Sequence, residues 1–224
     1  MAQLLARLDY DFSDTGLARA ALTHRSAAGA HNERLEFLGD ALLDLVIAEQ
    51  LYQRCPDASE GDLSRLRASL VRRDTLAFIA GLLELGDYLE MGTGELRSGG
   101  FRRSSVLADT LEALLGAIYL DGGYDASRRV VLSLYAERLS SLPDPAQLRD
   151  PKTRLQEYLQ GRGEARPDYR IASVSGRAHE QKFEVVCEVD ALALQASGQG
   201  SSRRRAEQRA AQALLELIEA ASDG

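Results

Sequence analysis

The chain has 224 residues, 45% of them hydrophobic and 27% charged, with a formal net charge of −7. That is material for one or two ordinary globular domains, and no run approaches the roughly 18 apolar residues of a membrane span. The opening "MAQLLARLDYDFSD" lacks a basic lead and an apolar run, so no secretory leader and no membrane partner are expected, and the location expected is cytoplasmic. Helical period then runs through residues 4–8, 16–25, 33–52, 62–83, 104–120 and 126–140, with Gly, Pro and Asp at the breaks and no strand signal. "SSLPDPAQLRDPK" holds Pro143, Pro145 and Pro151, three of the five prolines, and reads as an extended linker.

Past the linker the period changes. "TRLQEYLQG" places Leu155, Tyr158 and Leu159 on one side of a short helix. "KFEVVCEVD" alternates Phe183, Val185, Cys187 and Val189 with polar or intermediate residues, as a half-buried strand does, and "YRIASVS" and "ALALQASG" are weaker strands beside it. The last helix carries Ala206, Ala210, Leu214, Leu217 and Ile218 as its apolar stripe. The expected division is an all-α unit over 1–140, a linker over 141–150 and an α-β-β-β-α unit over 151–221.

Charge alone points away from a polyanion partner, because the first 149 residues carry 16 basic against 22 acidic side chains and the remainder 11 against 12. Clustering matters more than the average. Cys55 and Cys187 stand 132 positions apart outside any CxxC pair, which suits a reducing compartment and offers no zinc site.

The chemistry gathers in "NERLEFLGDALLDLVIAEQLY". On a helical wheel Glu33, Glu36, Asp40 and Asp44 share an arc of about 80°. Acids so spaced are commonly a solvated face, but this arc continues as Ile47 and Leu51, and Gly39 beside it costs roughly 1 kcal/mol relative to Ala unless another backbone must come close. "SSVLADTLEALLGAIYL" repeats the pattern with Asp109 and Glu112, its face continuing through Gly116. Ionised carboxylates would be costly in a dry, unpaired setting. No lysine precedes Lys152 and that stretch has no arginine, so a divalent cation between the two helices is expected. An all-oxygen donor set selects Mg²⁺, with Mn²⁺ as a possible substitute. A di-iron centre would need Glu-x-x-His pairs, which are absent.

"HNERLEFLGDALLDLVIAEQLY" and "GELRSGGFRRSSVLADTLEALLGAIYLDGG" resemble the two acidic segments of the ribonuclease III family. "DPKTRLQEYLQ" with "GQGSSRRRAEQRAA" is similar to the double-stranded-RNA-binding domain that follows in bacterial members, and the resemblance covers about residues 5–220. It implies a multi-domain chain, an all-α endonuclease domain followed by an α+β RNA-binding domain. It implies Glu36, Asp109 and Glu112 as metal ligands, Asp40 as catalytic alongside Glu112, and Glu33 and Glu60 as supporting acids that do not touch the metal. Asp44 matches no family position. The activity implied is Mg²⁺-dependent hydrolysis of RNA duplexes by a metal-activated water, giving 5′-phosphate and 3′-hydroxyl ends with short 3′ overhangs. The assembly implied is a homodimer with Phe37 at its interface, and the role is processing of ribosomal and some other RNA precursors.

Arg203, Arg204 and Arg205 start the last helix, where they oppose the macrodipole and call for an anion. With Ser201 and Ser202 they are expected to meet phosphate. The resemblance adds Thr153, Gln156 and Glu157 on the preceding helix and His179 in a turn between strands, recognising A-form shape through minor-groove 2′-hydroxyls. Arg65, Arg67, Arg72, Arg73, Arg97, Arg102 and Arg103 are expected to line a groove beside the acids, some pairing with surface carboxylates instead. Two alternatives stand beside this reading: a non-cleaving double-stranded-RNA-binding regulator, and an all-α nucleotide pyrophosphohydrolase, which would have no use for the C-terminal unit.

Overall fold

The computed structural model describes residues 1–177 and 180–222. Contacts divide the chain into two compact units that part between Pro145 and Ala146.

The first unit is helical: α1 (Ala2–Leu8), α2 (Thr15–Ala21), α3 (Glu33–Arg54), α4 (Glu60–Val71), α5 (Arg73–Leu82), α6 (Thr93–Arg97), α7 (Ser104–Leu134) and α8 (Ala136–Ser140). α3 begins with Glu33 and Glu36 in its first turn, where acids favour the positive end of the macrodipole, and it stops at Cys55 just before Pro56. Its apolar face, Leu43, Val46, Ile47 and Leu51, packs on Leu111, Leu114, Leu115 and Ile118 of α7, and all eight are buried. α2 and α5 also pack on α7, which is the centre of the unit.

Three boundaries depart from the helical period. The stretch 62–83 is two helices, broken at Arg72, whose extended backbone (φ −63°, ψ 150°) lets α5 turn Leu76, Ile79 and Ala80 inward. The stretch 126–140 is likewise split, at the buried Tyr135 between α7 and α8, whereas the expected break between 120 and 126 is present as a kink within α7 at Gly123 (φ 76°), a conformation that favours glycine. α2 ends at Ala21 instead of running to 25, because the chain leaves to make a parallel bridge between Thr23 and Glu90.

The second unit contains α9 (Pro151–Gly161), β1 (Asp168–Ser175), β2 (Lys182–Val189), β3 (Leu194–Gly200) and α10 (Arg203–Ser222). The strands form an antiparallel sheet in the order β1-β2-β3, with a register shift between Ile171 and Ser173. Leu155 and Leu159 of α9, Cys187 and Val189 of β2, and Ala210, Ala211, Leu214, Leu215 and Ile218 of α10 make its core. Leu217, placed on the buried stripe by period, is 46% exposed, and Ala211 and Leu215 take the inward positions. The segment expected to be extended contains a 3-10 turn over Pro145–Leu148, and Asp150 caps α9 by accepting from the Lys152 amide.

Candidate metal centre and nucleic-acid interface

The acids meet because α3 and α7 cross backbone to backbone. A Cβ at Gly39 would overlap the Glu112 carbonyl oxygen and sit 2.9 Å from the Gly116 nitrogen, and one at Gly116 would overlap the Leu35 carbonyl. The glycine that was expensive on helical grounds is thus required by the crossing. Glu36, one turn from Gly39 on α3, and Glu112 and Asp109, one and two turns from Gly116 on α7, are carried to the same spot.

Carboxylate oxygens of Glu36, Asp109 and Glu112 all lie within 4.8 Å of one another, and each side chain is half-buried. Burial is the main cause that pushes the Glu112 carboxyl up to about 8, followed by the charges of Asp40, Asp109, Glu36 and Asp44. Glu36 is raised by burial and then by Asp109, Glu33 and Asp40. Asp109 is raised by burial, against the opposing pull of Arg73 and His24. Among the described residues no arginine or lysine makes an ion pair with any of the three. Three hard oxygen donors whose mutual repulsion a cation relieves are a donor set suited to a divalent ion of the Mg²⁺ type.

The pocket is not dry, however. Asp40 is exposed at its rim, close enough for its charge to be the foremost one acting on Glu112. Asp44, one turn further on, is also raised, by burial and Asp40 against the lowering effect of Arg67. Glu33 is held outside the trio by Arg25 at 3.2 Å. Glu60 is not brought to the cluster: it starts α4, accepts from the Ser64 hydroxyl at 2.8 Å and lines a different pocket.

A polar cleft of about 600 Å³ opens beside the trio, lined by Glu36, Asp109, Glu33, Arg25, Arg103 and the buried Asn32, among others. Asn32, His24 and Ser26 carried no signal in the sequence, since a lone polar residue ahead of a helix reads as a cap. Of the arginines expected beside the acids, Arg73 and Arg67 act by their charge on Asp109 and Asp44. Arg103 faces this cleft while paired to Glu95 at 2.6 Å, Arg65 pairs with Asp62 at 2.7 Å, Arg102 stacks on Phe101, and Arg67 lines the pocket that holds Glu60.

Phe37 is 79% exposed on α3, and Leu45 and Tyr52 of that helix are also exposed. A pocket of about 380 Å³ whose exposed walls are mainly apolar lies between α3 and α4, lined by Leu45, Ala48, Leu51, Tyr52 and Leu63 and by an equal number of polar residues, Glu49, Glu60 and Arg67 among them.

In the second unit Thr153 and Glu157 are exposed and Gln156 half-buried on α9. Ser201, Arg203, Arg204 and Arg205 are exposed at the start of α10, where the Ser202 hydroxyl accepts from the Arg205 amide at 3.3 Å as a cap does. His179 lies outside the described residues.

Residues 14–139 match the family model described as Ribonuclease-III-like, and residues 151–218 match the double-stranded RNA binding motif. The chain is 53% identical over 218 residues to Ribonuclease 3 of Vibrio cholerae, with 97% of each covered. It is 53% identical over 218 residues to Ribonuclease 3 of Shewanella oneidensis, covering 97% of this chain and 96% of that one. A solved nuclease domain of ribonuclease III from Campylobacter jejuni, studied for flexibility in a region involved in dimer formation, aligns with a TM-score of 0.60 at 44% identity. That alignment covers 62% of this chain and 98% of the solved one.

Proposed function

The chain belongs to the ribonuclease III family and is a double-stranded-RNA-specific endoribonuclease; from that premise we propose that it hydrolyses duplex phosphodiesters in a Mg²⁺-dependent reaction. The ends left are 5′-phosphates and 3′-hydroxyls with short 3′ overhangs. The observation that carries the proposal is the convergence of Glu36, Asp109 and Glu112 from two helices onto a point where, among the described residues, no arginine or lysine pairs with them.

In this reading Glu36, Asp109 and Glu112 hold the ion, with Mn²⁺ as a substitute, and Asp40 acts with Glu112 at the reacting phosphate. A bound divalent ion supplies a water of lowered pKa and positive charge facing the scissile group. Glu112 is the deepest of the acids and the most strongly perturbed, so its carboxylate is the one whose charge depends most on a neighbouring cation. Asp40 at the exposed rim is open to solvent and so is placed to orient a water. Glu33 and Arg25, paired at the edge of the cleft, fix its border without reaching the trio.

RNA is held by the second unit. Arg203, Arg204 and Arg205, with Ser201 and Ser202, meet the phosphate backbone, while Thr153, Gln156, Glu157 and His179 reach minor-groove hydroxyls. The active form is a homodimer: Phe37, too exposed to serve the core of its own chain, enters an apolar pocket on a second copy. The substrates are ribosomal RNA precursors and some messenger and transfer RNAs in the cytoplasm. No described helix is long and apolar enough to cross a membrane.

The test is a long RNA duplex offered to the protein with Mg²⁺, with Ca²⁺ and with chelator. Cutting is expected in Mg²⁺ or Mn²⁺, and binding without cutting in Ca²⁺. Asp40→Asn combined with Glu112→Gln should bind and not cut; cleavage by that variant would refute the assigned site.

A further inference from the structure

Glu207 is a buried carboxylate in the second unit, outside the metal centre. It sits one turn into α10 with its side chain 10% exposed, accepting from Lys152 Nζ of α9 at 2.5 Å and from Arg203 Nε at 2.8 Å. Burial raises its proton affinity, but the hydrogen bonds from Lys152 and Arg203 outweigh that and hold its carboxyl below the ordinary range. The next residue continues the contact: Gln208 Nε2 donates to Asp150 Oδ2 at 2.6 Å, and Asp150 caps α9. Two successive residues of α10 therefore clasp the start of α9. The Lys152 ammonium is taken up between this carboxylate and the face of Tyr169, whose ring centroid is 4.4 Å away.

The geometry at Arg203 is what points to RNA. Its guanidinium is tied through Nε, while Nη1 and Nη2 donate to no described residue and the side chain is 61% exposed. An arginine held by Nε presents its outer nitrogens as a fixed fork, the shape that grips a phosphate in two places. A free arginine at a helix tip would have to give up side-chain entropy on binding, whereas this one has already done so. An ordinary exposed i,i+4 pair would hold such a side chain only weakly. Here the acceptor is buried and anchored by a second cation.

We propose that Glu207 is a positioning residue for duplex RNA: anchored by Lys152 of α9, it acts through Arg203, aiming that guanidinium at the phosphate backbone without touching RNA itself. The inference rests on the reading that Arg203 contacts RNA.

The test measures duplex binding by the full chain in chelator, across a range of salt, for Arg203→Ala, Glu207→Gln, the double variant and Arg203→Lys. Arg203→Ala should weaken binding and flatten the log–log salt slope by about one. Glu207→Gln should weaken binding about five- to tenfold with a similar loss of slope. The double variant should bind no more weakly than Arg203→Ala. In Mg²⁺, Glu207→Gln should raise KM and leave kcat at saturating duplex unchanged. Arg203→Lys leaves the buried carboxylate in place, so it decides the matter even where Glu207→Gln does not fold; an ammonium consumed by Glu207 has no fork left, and it should bind like Arg203→Ala. Wild-type binding by Arg203→Lys, or additive losses in the double variant, would overturn the inference. If Arg203→Ala binds normally, the RNA-contact reading falls and takes this one with it. If Arg203→Ala is impaired while folded Glu207→Gln and Arg203→Lys are not, only the role of Glu207 falls.

Discussion

Removing the charge from Glu112 should stabilise the metal-free protein. Its carboxyl is raised from 4.5 to about 8, mainly by burial and then by four neighbouring acids. The folded pKa lies above the unfolded one, so the folded state binds the extra proton. The stability tied to Glu112 is therefore fully present below about pH 4.5 and is lost as pH climbs through 8. At roughly 1.4 kcal/mol per pH unit a sealed group would lose about 5 kcal/mol, but the site is open on one side, and solvent screening reduces this to about 1–2 kcal/mol. In chelator at pH 8.5, Glu112→Gln should melt roughly 3–6 °C above wild type by calorimetry, and at pH 4 the two should coincide. Adding Mg²⁺ should reverse the order, because only the wild type keeps the full set of three carboxylates, and binding to the folded state alone raises its melting temperature. Equal melting of wild type and variant in chelator at pH 8.5 would refute the account of why these acids are where they are.

Gly39→Ala should force α3 from α7, since the new methyl overlaps the Glu112 carbonyl; about 3 kcal/mol or more of stability, measured by urea unfolding, and nearly all cleavage should be lost. Leu155→Ala, in the fully buried core of the second unit, should cost about 2–5 kcal/mol there and weaken duplex binding, while the melting of the isolated first unit, which lacks that position, is the control. Phe37→Asp should leave the monomer fold intact, because the side chain is 79% exposed, and should shift sedimentation from dimer to monomer. A variant that still sediments as a dimer would remove Phe37 from the interface.

Periodicity carried the architecture far because each signal is local. The alternation of Val185, Cys187 and Val189 is a property of one strand, and all three are buried in β2. The same is true of the change from helical period to strand period after residue 167. Helix breaks were less legible: Arg72 has no breaking chemistry of its own, and the turn there exists because α5 must face α7. Leu217 illustrates the same limit, since period places it near the stripe while the width of the contact with the sheet leaves it outside.

The sequence by itself determined which residues are unusual: acids that share a face with Ile47 and Leu51, a glycine in mid-helix, arginines at the wrong end of a dipole. Tertiary structure decided which of them meet. A helical wheel gives an angle about one axis and says nothing of where a second axis crosses it. The crossing at Gly39 and Gly116 carries Glu36, Asp109 and Glu112 together, leaves Asp40 at the rim, yields Glu33 to Arg25 and leaves Glu60 to another pocket. Likewise Arg203 could be read as basic from its letter, but its orientation depends on Glu207 and on Lys152, 55 positions before that carboxylate, which only the packing of α9 against α10 brings within hydrogen-bond reach.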